Sequence, residues 1–402
     1  MVDTLMLSAV GDYAVGAVGT ANSYIGIFII MFSIISSGMV SVMTQNIGAG
    51  RPGVAYQARQ LGLLFNAVAG VLMAVFLFSG AGAILRMVGI ADALYEPALI
   101  YLKIVGGGCI LNAVIPIISI HLHTFGYTKQ PLYATIVGNI ANFVMNAVFL
   151  FVLHKGVAGV AAATVISKIL NLCIVLYFSH KLISAKNSTE RIANKTVLGQ
   201  IVKVGLPSAC ETALYNVAMM LVIRFLNQMD AEGLNVTARS YTATISNFSY
   251  CVGAALAQAN AIMTGWHIGA GELEECDRGT KRAAFVGVCV AVCMETAIVL
   301  GSGFIMPLFT DNPEMTALVR KLLAIDIVLE IGRVTNLVFG QALKTSGDAV
   351  FPAVIAAVFM FVFAVGGTWL FGISMGLMAV GAYIGLASDE CVRAVGMVWR
   401  WK

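Results

Sequence analysis

The sequence predicts an all-α integral membrane protein, two six-helix lobes related by a parallel internal repeat, with the first helix largely missing. Three observations carry this. Hydrophobic residues make up 59% of the 402 residues and charged ones only 11%, against about 25% charged in a soluble domain. Apolar runs of the roughly 18 residues needed to cross a hydrocarbon layer about 30 Å thick follow one another almost end to end. Loop motifs recur in one register between the two halves.

The apolar runs define eleven expected spans, over residues 15–44, 54–80, 97–122, 132–154, 157–180, 198–228, 237–266, 282–309, 317–342, 350–373 and 376–400. Short breaks rich in Gly, Pro and charge separate them, among them Gly48-Ala49-Gly50-Arg51-Pro52-Gly53, Lys129-Gln130-Pro131 and Asp311-Asn312-Pro313. The one longer polar stretch, from Lys181 to Lys203, divides the chain into an N-terminal lobe (1–185), a linker (186–197) and a C-terminal lobe (198–402).

Ile47-Gly48-Ala49-Gly50 recurs 221 residues later as Ile268-Gly269-Ala270-Gly271, and at that spacing Thr124, Gly126 and Pro131 fall on Thr345, Gly347 and Pro352. One Gly-Ala-Gly match means little, but the joint register points to a duplicated bundle. The span at 198–228 then calls for a counterpart starting upstream of Met1, of which Met1 to Ser8 is the tail, so roughly 20 to 30 further apolar residues are expected in the gene. Six spans per repeat bring each half back to the same side, giving parallel bundles related by an axis along the membrane normal.

Basic residues concentrate in alternate loops: Arg51 and Arg59, Lys129, the set from Lys181 to Lys203, Arg278 with Lys281 and Arg282, Lys344, and finally Arg400 and Lys402. By the positive-inside rule the mid-chain loop and the C-terminus are expected in the cytoplasm, in a multi-pass protein of the plasma membrane. The net charge of +4 reports this orientation and no nucleic-acid partner, since no basic arm is present. The eight cysteines are scattered, and Cys289 with Cys293 lacks a histidine at ligand spacing, so they read as small packing residues and no metal site is expected.

Four motifs carry a family resemblance over the whole chain: Val2-Asp3-Thr4-Leu5-Met6 before Val10-Gly11, Gln45-Asn46-Ile47-Gly48-Ala49-Gly50, Val204-Gly205-Leu206-Pro207 with Glu211, and Leu343-Lys344-Thr345-Ser346-Gly347-Asp348 with Pro352. In this order and spacing they resemble the multidrug and toxic compound extrusion (MATE) family, and Glu330-Ile331-Gly332-Arg333-Val334-Thr335-Asn336 looks like a bacterial branch of it. The resemblance implies a monomer of two lobes around a central cavity, exporting amphipathic, often cationic compounds against inward flow of Na+ or H+, with no other cofactor. It also implies a cation site in the first lobe at Asp3, Asn142, Asn146 and Thr164. Asn146 stands where many members carry Asp, which removes one carboxylate from that site.

The residues themselves carry a second set of candidates. An ionisable side chain at mid-span costs about 2.5 to 3.5 kcal/mol on insertion scales, so it persists where it performs a task. Glu211, four residues after Pro207, reads as a coupling carboxylate or as a hydrated interfacial one. Glu330 and Arg333, three apart on one helical face, read as a structural ion pair or as a direct part of substrate or proton coupling, and Asp326 faces the same side one turn earlier. Asn139, Asn142 and Asn146 can ligate a hard cation or join helices by hydrogen bonds. Glu295, Arg224 and Arg239 also fall within or near spans, and the two arginines read as side chains that reach for the interface. Methionines and aromatics such as Tyr215 and Tyr250 suit a cavity that accepts varied amphipathic cations.

Competing classes are weighed by the same residues. A flippase for a lipid-linked precursor needs a strongly basic cavity, whereas Glu211, Asp326 and Glu330 outnumber Arg333. A membrane enzyme calls for a nucleophile elbow, a His-Glu-x-x-His helix or a phosphate loop, and a channel for a filter sequence, none of which the sequence carries.

Overall fold

The computed structural model describes residues 6–7, 12–88, 92–183, 190–230 and 233–402. Within them the chain runs as α1 (Asp12–Gly48), α2 (Pro52–Val88), α3 (Asp92–Gly107), α4 (Cys109–Thr124), α5 (Lys129–Ala147), α6 (Gly156–Leu182), α7 (Asn194–Met229), α8 (Leu234–Ala270), α9 (Leu273–Ile305), α10 (Pro313–Ser346), α11 (Val350–Phe359) and α12 (Met378–Trp401). Wider π-type turns extend α5 over Val148–Val152 and α11 over Met360–Val365 and Thr368–Ser374. No strand occurs among the described residues. In a bilayer this is the required solution, because each helix satisfies its own backbone N–H and C=O groups.

A helix stands at each of the eleven expected positions, α3 and α4 together filling one with a bend of 40° at Gly107 and Gly108. Seven helical segments are long and apolar enough to cross a membrane, and the bent pair makes an eighth. Their outer faces are apolar: Leu72, Val75 and Phe78 on α2 and Ile140 and Phe143 on α5 are all more than half exposed, as side chains dissolved in lipid should be. The three remaining long helices, α8, α10 and α12, fall short of that standard because they carry more polar residues, and they pack on one another with α10 in the middle.

The repeat is visible in the backbone. Gly50 and Gly271 both have positive φ, +70° and +79°, and so do Gly126 and Gly347, +85° and +100°. Each follows a helix end as an αL stop, a conformation in which glycine has no Cβ to clash. The loop motifs that recur in sequence thus recur because they end equivalent helices. α10 shows both kinds of punctuation: Asn312 accepts from the backbone N–H of Glu314 (2.9 Å) and Met315 (3.3 Å), Pro313 begins the first turn, and Gly347 closes the last.

Packing divides the chain into two compact units, Met1–Gly205 and Leu206–Lys402, with the division inside α7 rather than in the polar stretch before it. In the first unit Val197 and Ile201 of α7 pack with Met39, Met43, Ala55 and Ala58. Gly205 permits this approach, since a Cβ there would stand 1.7 Å from the carbonyl oxygen of Ile34. In the second unit Val222 and Leu226 of α7 join Leu322, Leu323 and Leu329 of α10 in a separate core.

Entry into α8 rests on Asp230. Its Oδ1 accepts from the backbone N–H of Leu234 (2.8 Å) and its Oδ2 from that of Asn235 (3.0 Å), while the Asn235 amide also donates to Oδ2. Asn235 in turn accepts the backbone N–H of Ala379 at 3.0 Å, fastening the start of α8 to the start of α12. Burial pushes the Asp230 carboxyl up, but these donors outweigh it and hold it below the usual carboxylate range. Asp230→Ala is expected to lower stability by about 1 kcal/mol near neutral pH. Because the folded carboxyl titrates lower than the unfolded one, that contribution is complete above the unfolded value and fades as pH falls through the folded one. Thermal unfolding of the two forms across that pH range checks both statements.

Candidate functional site

The second unit holds a charged layer that spacing along α10 begins and helix packing completes. Asp326, Glu330 and Arg333 lie one turn apart on α10, and Asn336 continues the stripe. Asp389, Glu390 and Arg393 form a matching set on α12. The two helices touch at this level because of Gly332: a Cβ there would meet the backbone nitrogen of Cys391 at 2.7 Å and the carbonyl carbon of Glu390 at 2.8 Å. Backbone atoms cannot rotate aside. Gly332→Ala is therefore expected to force α10 and α12 apart and cost about 1–3 kcal/mol, read as a lowered melting temperature of the purified protein.

The close approach brings the two sets into one network. Arg333 pairs with Glu330 on its own helix, and its Nε lies 3.7 Å from Glu390 Oε1. The same Glu390 oxygen is 2.8 Å from Arg393 Nη2, and its Oε2 accepts from Asn336 Nδ2 at 3.0 Å. Arg393 also holds Asp389 through Nε at 3.1 Å and Nη2 at 2.7 Å. The guanidinium of Arg333 sits 5.7 Å from the centre of the Tyr250 ring. Glu330 is fully buried, Asp389 is 2% exposed and Arg393 4%. Charges so far from water persist only when paired and hydrogen-bonded.

Not every carboxylate is satisfied. Oε2 of Glu330, Oδ2 of Asp326 and both oxygens of Glu295, which is fully buried on α9, have no aligned hydrogen-bond donor. Glu295 faces Asp326 and Glu330, with the Ser249 hydroxyl beside it.

Two cavities open against this network. One, of about 300 Å³, is lined by residues that include Tyr215, Arg239, Asp326, Arg333 and Tyr383. The other, of about 200 Å³, is lined by Glu211, Met360, Asn336 and Arg393 among others. Tyr215, Tyr250, Arg333 and Glu390 belong to both walls, so the Arg333 and Glu390 pair stands between the two spaces. Lys344 Nζ is 2.8 Å from Glu211 Oε2, within ion-pair range though not aligned as a hydrogen bond. Glu211, Glu330 and Glu390 each fall at the midpoint of their helices.

In the first unit, Asn146 is fully buried and donates to Asn142 Oδ1 at 3.2 Å. α5 and α6 run antiparallel, with Gly138 against Asn171 and Gly159 against Phe149, which brings Asn146 level with Thr164. Thr164 Oγ1 donates to the carbonyl of Val160 at 2.9 Å. Asp3 lies outside the described residues.

A family model described as MatE matches residues 1–148 and 207–370. The chain belongs to the MatE family. An uncharacterized transporter, YisQ, of Bacillus subtilis (strain 168) is 32% identical over 406 residues, covering 100% of this chain and 89% of the relative. A crystal structure of MATE in the straight conformation superposes with a TM-score of 0.90 at 21% identity, covering 99% of this chain and 89% of that one. An outward-facing multidrug resistance MATE family transporter of the MOP superfamily gives 0.89 at 20% identity, with the same coverage. At these identities the two structures establish the fold, while the family model and the Bacillus relative establish that this is a MatE-family transporter.

Of the candidates read from the sequence, the structure of this MatE-family chain gathers Asp326, Glu330 and Arg333 into one network and places Glu211 on an adjoining cavity. Several partners escaped that reading: Asp389, Glu390, Arg393 and Lys344 as the partner of Glu211. Asp389, Glu390 and Arg393 sit three and four residues apart in the last apolar span, the same signal that marked Glu330 and Arg333. Arg239, read as reaching for the interface, instead lines the larger cavity.

Proposed function

We propose that this MatE-family transporter is a cation-coupled antiporter that exports amphipathic cations by alternating access against inward Na+ or H+. One observation carries the reading. Around the two cavities and the network behind them, six carboxyl groups (Glu211, Glu295, Asp326, Glu330, Asp389 and Glu390) face four bases (Arg239, Arg333, Lys344 and Arg393). Such a field attracts cations, and acids at mid-span mark ion and substrate pathways. A flippase holding a pyrophosphate calls for the opposite balance.

In this reading Glu211 is the coupling carboxylate. Asp326, Glu330 and Arg333 form the polar network of the second lobe. Asn142, Asn146 and Thr164, together with Asp3, supply a cation site in the first. The concentration of basic residues in alternate loops supports a cytoplasmic mid-chain loop and C-terminus.

Ethidium efflux from cells expressing the protein tests the proposal. Efflux is expected to be faster than in cells without it, and to stop when the driving gradient is collapsed. Imposing a Na+ gradient or a pH gradient alone identifies the ion. Efflux that ignores both gradients, or none at normal expression, would falsify the antiport reading.

A further inference from the structure

We propose that the cavity of about 300 Å³ in the second unit binds a small aromatic zwitterion, with Asp326 taking its ammonium and Arg239 its carboxylate. Two groups in the wall form no ion pair with a described residue, although Arg333 lies within electrostatic range of Asp326. Asp326 is 3% exposed, and its Oδ2 has no aligned donor, although the Ser246 hydroxyl lies alongside. Arg239 makes its side-chain contact with Met219 Sδ at 3.6 Å, a weak acceptor, and forms no ion pair with another described residue. The two do not pair with each other, yet both lie within electrostatic range of the buried Tyr383 phenol. A positive and a negative group therefore line one cavity without an ion pair between them.

A guest with a single charge satisfies half of this arrangement. A pure cation meets Asp326 but adds like charge beside Arg239, and a pure anion does the reverse. A molecule with both charges on adjacent carbons answers each wall at once. Tyr215 and Tyr250 offer ring faces to an aromatic body, and Met219 a polarizable surface. The volume lies at the small end of ligand pockets, which suits a guest of amino-acid size.

The inference rests on the second unit's cavity being a cargo site of this MatE-family transporter, and it adds a zwitterion to the amphipathic cations proposed above. Its test is equilibrium binding to the purified full chain in detergent, by calorimetry, of three probes that share an indole ring: tryptophan, tryptamine and indole-3-propionate. Tryptophan is expected to bind about ten-fold more tightly than either singly charged probe. Arg239→Gln is expected to bring tryptophan down to the level of tryptamine, and Asp326→Asn to bring it down to that of indole-3-propionate. Arg239→Lys, which keeps the charge, serves if the other variants fold poorly and should retain most of the advantage. Equal binding of tryptophan and tryptamine in the unaltered protein, or no binding of any probe, overturns the inference. Ethidium efflux separates the two claims: efflux that persists without a tryptophan preference sinks this inference alone, and a tryptophan preference without gradient-dependent efflux sinks the antiport reading alone.

Discussion

Replacing Glu211 by Gln is expected to cut gradient-driven efflux by about 5- to 150-fold, the range set by a coupling energy of about 1–3 kcal/mol. Glu211 stands at the midpoint of α7 on the wall of the smaller cavity, its side chain 20% exposed. A carboxylate there can bind a cation electrostatically, whereas Gln keeps the shape and removes the charge. The pair with Lys344 offers a competing explanation, since losing Glu211 also strands a partly buried lysine. The double substitution Glu211→Gln with Lys344→Gln resolves it. Stability should recover because no charge is stranded, while efflux should stay low because the carboxylate is still absent. Normal efflux by Glu211→Gln at normal expression would show that the coupling carboxylate lies elsewhere.

Arg333→Met is expected to lower stability by about 3–5 kcal/mol, the usual cost of leaving a buried charge without its partner. For a unit of this size that corresponds to a fall of roughly 10 °C in melting temperature. Arg333 is the ion partner of the fully buried Glu330, approaches Glu390 at 3.7 Å and lies over Tyr250. No other described base pairs with Glu330. The methionine keeps most of the packing volume, so the loss measures charge. Adding Glu330→Gln removes the stranded carboxylate and is expected to restore much of the stability, as replacing both members of a buried pair often does. If Arg333→Met alone unfolds at the temperature of the parent, the network is not a structural element of this unit.

The spans were legible because crossing a bilayer imposes a length and an apolar composition that residues such as those at 54–80 and 132–154 satisfy by themselves. The repeat was legible for a different reason. Gly50, Gly126, Gly271 and Gly347 occupy backbone conformations that other residues resist, so their spacing records where equivalent helices stop. Of the charged layer, the pair of Glu330 with Arg333 could be seen because three residues on a helix share a face.

Asp389, Glu390 and Arg393 carry the same spacing, but the pairing between helices required the packed molecule. Glu211 meets Lys344, Asn336 meets Glu390, and Arg239 turns to a cavity wall, each through helices distant in sequence. The bilayer explains this division. Lipid contact constrains each helix separately, so local composition decides which segments span the membrane. Between helices inside the bilayer, close packing and polar pairing set the neighbours instead. The sequence by itself determined the all-α membrane fold, its spans and the repeat. Only the tertiary structure decided which buried charges stand together, because Gly332 lets α10 and α12 touch at the depth where Glu330, Arg333 and Glu390 lie.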